Sequence, residues 1–202
     1  MSAVRFTFKL RNGQAIDVHD CSDIRISPAQ IDCATRKYRE KYGRENQRKP
    51  PDLEYNCHGL TFISKLGWIG CILQDEPKFI NPYGSDKIVL KEREEPDIVA
   101  EILRGNRLRL VRRLDNRKIE QLKGNEDIEI GDIVVYKDIR NKREEIEHSA
   151  LVIEVNKSED DVRKVNNVRV LSKLAWAGEY FHYFGNVPDD YGNIVEFWTD
   201  RR

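Results

Sequence analysis

Cys57 is the residue of this chain best placed to act as a nucleophile. It stands in Glu54-Tyr55-Asn56-Cys57-His58-Gly59-Leu60-Thr61-Phe62, where a loop gives way to a stretch of helical character that reaches Leu66 and ends at Gly67. A thiol at a helix start faces unpaired backbone N–H groups and the positive end of the helix dipole, and both favour the thiolate. Those N–H groups can also stabilise an oxyanion as sulfur attacks a carbonyl, and Gly59 leaves room beside the sulfur. A thiol needs a proton acceptor as well, and imidazole suits that role near neutral pH.

Of the four histidines, His148 is the best partner. It leads the apolar strand Ser149 to Val155, where a sheet would fix its backbone, and it follows a charged segment, Arg140 to Glu147, that reads as a turn. His58 adjoins Cys57, and neighbours on a helix point in different directions. His19 lies in a polar turn region, and His182 sits in the aromatic stretch Tyr180-Phe181-His182-Tyr183-Phe184. The other cysteines, Cys21, Cys33 and Cys71, read as small buried hydrophobes. Zinc is the weaker alternative for Cys57, His58, Cys71 and His148: adjacent residues rarely chelate together, and no paired ligand spacing occurs. No metal or cofactor is expected.

Several elements must position these groups. Val4, Phe6, Phe8 and Leu10 alternate with polar residues, Asn12-Gly13 makes a turn, and Gln14 to Val18 returns as the second strand of a hairpin. A helix begins with Ser27 as cap and Pro28 in its first turn, and ends at Gly43. Arg44 to Asp52, with Pro50-Pro51, is a loop. A short strand is expected at Lys87 to Leu90, and a helix after Pro96 carries the apolar stripe Val99, Ile102 and Leu103 before Gly105. Leu108 to Val111, Ile133 to Tyr136, Ser149 to Val155, Val168 to Leu171 and Ile194 to Trp198 read as strands. The charged stretch Asn156 to Asn167 is a solvated connection, and Gly185, Pro188, Asp189, Asp190 and Gly192 form the last one. Helices early and antiparallel strands late indicate an α+β domain.

Composition narrows the classes of function. Lys plus Arg number 35 and Asp plus Glu 35, so the balance disfavours a generally basic, nucleic-acid-binding surface. The locally basic run Arg104 to Arg113 reads as a solvated strand face. No apolar run approaches the ~20 residues that cross a bilayer, and Met1 to Arg11 lacks a signal-peptide core. The expected setting is the cytoplasm, or delivery without a cleaved signal.

The ordered set of motifs resembles the NlpC/P60 and CHAP superfamily of papain-like cysteine (thiol) proteases and amidases. Asn56-Cys57-His58-Gly59-Leu60 is similar to its nucleophile motif, Gly131-Asp132-Ile133-Val134-Val135-Tyr136 to its Gly-Asp strand, and Glu147-His148-Ser149-Ala150-Leu151-Val152-Ile153 to its His-led strand. The resemblance covers Tyr55 to about His182. It differs from the family's pattern in having Asn56 where many members carry Asp, His58 where Ser is common, and a long separation between Cys57 and His148.

The resemblance implies a single papain-like α+β domain over residues 1–202, its nucleophile helix packed on an antiparallel sheet. Residues 1–50 would be a hairpin-helix extension and residues around 72–123 an insertion. It further implies a hydrolase cleaving an amide or peptide bond, with Cys57 as nucleophile and His148 as base. The backbone N–H of Cys57, with Asn56 or His58, would support the oxyanion. A third residue would orient the imidazole: Ser172, if the strands after His148 pair as a hairpin, with Glu179 or His182 as alternatives, although a solvated loop is the plainer reading of Glu179. Trp176 is a candidate substrate contact. The expected partner is a peptide or protein substrate. The competing expectation is a catalytically inactive papain-like fold that binds or regulates a protein partner.

Overall fold

The computed structural model describes residues 4–19, 26–51, 56–63, 89–90, 98–117, 127–140, 143–156 and 167–201. Side chains are described for these except residues 4–8, 16–19, 63, 89–90 and 98. The architecture is α+β: a seven-stranded antiparallel sheet with few helices, and a separate three-stranded sheet.

The small sheet starts with the predicted hairpin, β1 (Val4–Lys9) and β2 (Ala15–His19), joined through Gly13 at φ +87°, a conformation that glycine adopts without strain. His19 is therefore a strand residue, paired with Val4 and with Val89 of β4 (Val89–Leu90), and not part of a turn. Helix α1 (Pro28–Tyr42) forms where its end signals stand. Ser27 and Gln30 close a reciprocal capping box, Pro28 occupies the first turn, and Gly43 follows the last.

The large sheet has the order β3-β9-β8-β7-β6-β10-β5. Its strands are β3 (Gln47–Lys49), β5 (Arg109–Leu114), β6 (Ile133–Arg140), β7 (Arg143–Val155), β8 (Val168–Lys173), β9 (Glu179–Tyr183) and β10 (Ile194–Thr199). Both faces are covered, which is why Ile133 to Tyr136 and His148 to Val152 are buried without interruption. On one face, Leu60 and Phe62 of the π-helical turn α2 (Gly59–Ile63) and Val99, Ile102 and Leu103 of α3 (Ile98–Gly105) pack with Val135, Leu151 and Leu171. On the other, Ile128, Phe184 and Val187 pack with Val134, Tyr136, Val152 and Val170. At the β9 end, Tyr38 of α1 packs with Leu174, Ala177 and Tyr180.

Several expectations need amendment. Residues 143–147 are strand, not turn: Glu145 pairs with Asp138 and Glu144 with Ile139. Ion pairs permit it. Arg113 binds Glu144 and Glu196, Lys137 binds both carboxylates, and Arg140 binds Glu147. Arg113 is thus occupied within the sheet. Glu179 is not on a solvated loop; it is fully buried in β9, where Arg48 and Lys49 of β3 reach it. Cys33 is exposed on α1, not buried, while Cys21 and Cys71 lie outside the described residues. The region expected as an insertion supplies α3 to the core and β5 to the sheet edge, and the region expected as an extension supplies α1 and β3. No helix among the described residues is long and apolar enough to cross a membrane.

The ion-pair network carries a pH signature. The Arg113 guanidinium, hydrogen-bonded to Glu144, lowers that carboxyl from 4.5 to about 2. A carboxyl held low in the folded state stabilises it fully above the unfolded value and loses that contribution as pH falls through 4.5 toward 2. Urea unfolding at pH 6 and pH 3 should show a smaller acid loss for Glu144→Gln than for wild type. Equal losses would mean the pair contributes nothing.

Candidate functional site

Asn56 begins the helical turn that carries Cys57. Its side-chain oxygen accepts from the Gly59 N–H at 2.8 Å and its carbonyl from the Leu60 N–H at 3.0 Å, so Asn56 is the N-cap and Cys57 the first helical residue. Capping occupies the Gly59 amide. The backbone N–H groups of Cys57 and His58 are the candidate oxyanion donors at this turn, and the Asn56 side-chain oxygen, an acceptor, is not one. Cys57 is largely buried, with 9 % of its surface exposed.

The turn is tied to the sheet through Ser149. The Ser149 hydroxyl donates to the Cys57 carbonyl at 3.4 Å and lies 2.8 Å from Nδ1 of His58. A hydroxyl whose proton faces the carbonyl accepts from the imidazole, which puts the His58 proton on Nδ1. His58 thus points to the sheet, as its helical offset from Cys57 suggested, and serves as an anchor. Desolvation lowers its pKa to about 4 and keeps it neutral.

His148 precedes Ser149 in β7, so its side chain leaves the strand on the opposite face. It pairs with Tyr136 of β6 and is fully buried. Among the described residues neither ring nitrogen has a hydrogen-bond partner, so no thiol–imidazole bond joins His148 to Cys57 in this resting arrangement. Aromatic rings surround it instead. Tyr191 lies parallel, with planes 6° apart and centroids at 4.3 Å, and Tyr136 is tilted at 5.5 Å. Desolvation first, then the charges of His58 and His182, lower the His148 pKa well below 6.5. Tyr191 also senses Cys57. Its hydroxyl is pushed well above 10 by burial first, then by Tyr38 and by the Cys57 charge.

The candidates for a third residue meet each other. Ser172 and His182 lie on the His148 face of the sheet, given the pairings Val152 with Val170 and Val170 with His182. Nδ1 of His182 faces the Tyr183 carbonyl at 2.8 Å, an acceptor only, so Nδ1 carries the proton. Nε2 then accepts from the Ser172 hydroxyl at 2.8 Å. Tyr42 of α1 stacks on this imidazole at 4.9 Å. The pair is closed on itself, and neither member bonds His148. Glu179 belongs to the buried charge group with Arg48 and Lys49. Trp176 is partly buried and donates toward the Gln30 carbonyl of α1 at 3.4 Å, which places it on the α1 interface.

Two site residues escaped the sequence reading. In the sequence Ser149 reads only as a strand residue next to His148. Tyr191 was hidden among turn-forming residues, Pro188-Asp189-Asp190-Tyr191-Gly192, where no periodicity marks a side chain that folds inward. Among the described residues, no group of three or more His, Cys, Asp or Glu is arranged to hold a metal ion. Compared with known proteins, the chain matches no protein-family model, no curated protein and no solved structure.

Two outcomes test this geometry. Asn56→Ala should cost about 1 kcal/mol of stability in urea unfolding while Asn56→Asp, which keeps the cap, costs far less; equal losses would exclude capping. The second concerns His58, His148 and His182, all buried and neutral, with desolvation lowering His182 to about 4 as well. Because the unfolded chain takes up protons near 6.5 and the folded chain does not, stability falls as pH drops through 6.5. Unfolding free energy measured between pH 7 and pH 5 should show an uptake approaching three protons, reduced by about one in His58→Gln.

Proposed function

We propose that this chain is a papain-like cysteine hydrolase acting on an amide or peptide bond. The observation that carries the reading is the His148 imidazole: fully buried, held neutral by desolvation, and without a hydrogen bond on either nitrogen among the described residues. An unpartnered polar ring in a core costs about 1–3 kcal/mol, and such sites are kept where the group has chemical work. A neutral ring with open nitrogens is the form a general base requires.

In the reaction, a ring nitrogen of His148 takes the Cys57 proton as the sulfur attacks the carbonyl carbon. The two buried charges that form offset each other. The amides of Cys57 and His58 receive the oxyanion. His148 then gives its proton to the leaving amine as the C–N bond breaks, leaving a thioester on Cys57. Water, deprotonated by the same imidazole, cleaves that thioester and restores the thiol. In the resting arrangement the two groups are not bonded, and His148 leaves β7 on the face opposite Ser149, so the reaction requires the Cys57 turn to shift until the sulfur reaches the His148 face.

The burial of both groups and the missing bond between them favour a second reading, an inactive papain-like fold that binds a protein partner. Iodoacetamide labelling separates the two, because Cys33 is exposed and Cys57 buried. Accessibility alone would make Cys33 the faster thiol. A catalytic Cys57 should label faster than Cys33, with an apparent pKa below the ~8.5 of a free thiol, and His148→Ala should abolish both differences. Incubation with amide and ester acyl donors should leave an acyl adduct on Cys57 by mass spectrometry. Slow labelling of Cys57, unchanged by His148→Ala and without an adduct, would support the binding module.

A further inference from the structure

We infer that Tyr191 is the positioning residue of His148, setting the plane of the imidazole by stacking in place of a hydrogen-bonded third group. This rests on the hydrolase reading above. Bases in Cys–His sites need a fixed ring, because a misdirected nitrogen cannot meet the proton it must take. His148 has no hydrogen bond to fix it, and the polar candidates Ser172 and His182 bond each other. The contact that does constrain it is the parallel ring of Tyr191 at 4.3 Å and 6°, with Tyr136 tilted against it.

A stacked plate can orient another ring only if it is itself held, and Tyr191 is held from several sides. It packs against the buried cluster of Tyr38, Leu174, Ala177 and Tyr180 at the α1 interface. Arg117 grips the turn that carries it, donating to the carbonyls of Val187 at 2.8 Å and Pro188 at 3.2 Å, and to the carboxylate of Asp189 at 3.1 Å and the side chain of Asn193 at 3.3 Å. Gly192, at φ +89°, lets the backbone lie directly on β6, where a Cβ would collide with the Lys137 carbonyl. Stacking also leaves both nitrogens of His148 open, as one must be for Cys57 and one for a counter-hydrogen bond when the ring is charged. The other titratable groups near the ring, His58 from the Cys57 turn and His182 from β9, disfavour its charging and offer it no bond.

The test uses the full chain and the labelling profile of Cys57 against pH, with Cys33 as internal control. Tyr191→Phe keeps the plate and should stay within about twofold of wild type, while Tyr191→Leu removes it and should slow Cys57 labelling by roughly tenfold at pH 7, moving its apparent pKa toward the free-thiol value. Cys33 should not change. If Tyr191→Leu does not fold, Arg117→Gln loosens the turn without touching either ring and should shift the same quantities in the same direction by a smaller factor. A wild-type profile in Tyr191→Leu, or in Arg117→Gln as its substitute, overturns the inference but leaves the hydrolase reading standing if His148→Ala is slow. A wild-type profile in His148→Ala as well overturns both.

Discussion

An uncharged imidazole sits at the centre of this fold without a hydrogen bond, and much of the surrounding structure compensates for that. Burial of an unpartnered polar ring is unfavourable by an amount comparable to a lost hydrogen bond, so the ring has to recover energy through packing. His148 does so between Tyr191 and Tyr136, and its neutrality follows from desolvation and from two other histidines nearby. The β6–β7 register decides the arrangement. With Tyr136 opposite His148, that ring turns toward the aromatic face, and Ser149 turns toward the Cys57 turn. A slip of one residue would exchange the two faces and leave neither group placed.

The elements that enclose this ring come from distant parts of the chain. Tyr38 and Tyr42 of α1 contact Tyr180, His182 and Tyr191, so the N-terminal helix forms one wall of the aromatic cluster. Helix α3 fills the core under the Cys57 turn, and β5 closes the sheet edge beyond β10. Segments that look like additions to the sheet are therefore structural parts of the fold. The charge network on β5, β6, β7 and β10 serves the same end, because it lets the charged half of the β6–β7 hairpin remain in the sheet.

Legibility in the sequence follows the range of the interaction. The Ser27 cap of α1, the Asn12-Gly13 hairpin, the stripe of α3 and the cores of β6 to β8 and β10 arise from neighbours a few residues apart, and they are readable. The extent of β7 was not, because Glu144 and Glu145 look like turn residues until Arg113 and Lys137 arrive from other strands. Glu179 and Cys33 were misread for a related reason: burial depends on which face an element presents, and that is set by packing partners.

By itself, the sequence determined an α+β chain with Cys57 in the first turn of a helix, His148 in a strand and Ser172 on the strand beside it, since local hydrogen bonding and period-two alternation dictate those placements. Only the tertiary structure decided the partners. It paired Ser172 with His182, His58 with Ser149 and His148 with Tyr191, contacts that depend on sheet order and on a turn folding back over β6 and β7. No spacing along the chain encodes them, because each joins groups whose proximity exists only once the seven strands have taken their order.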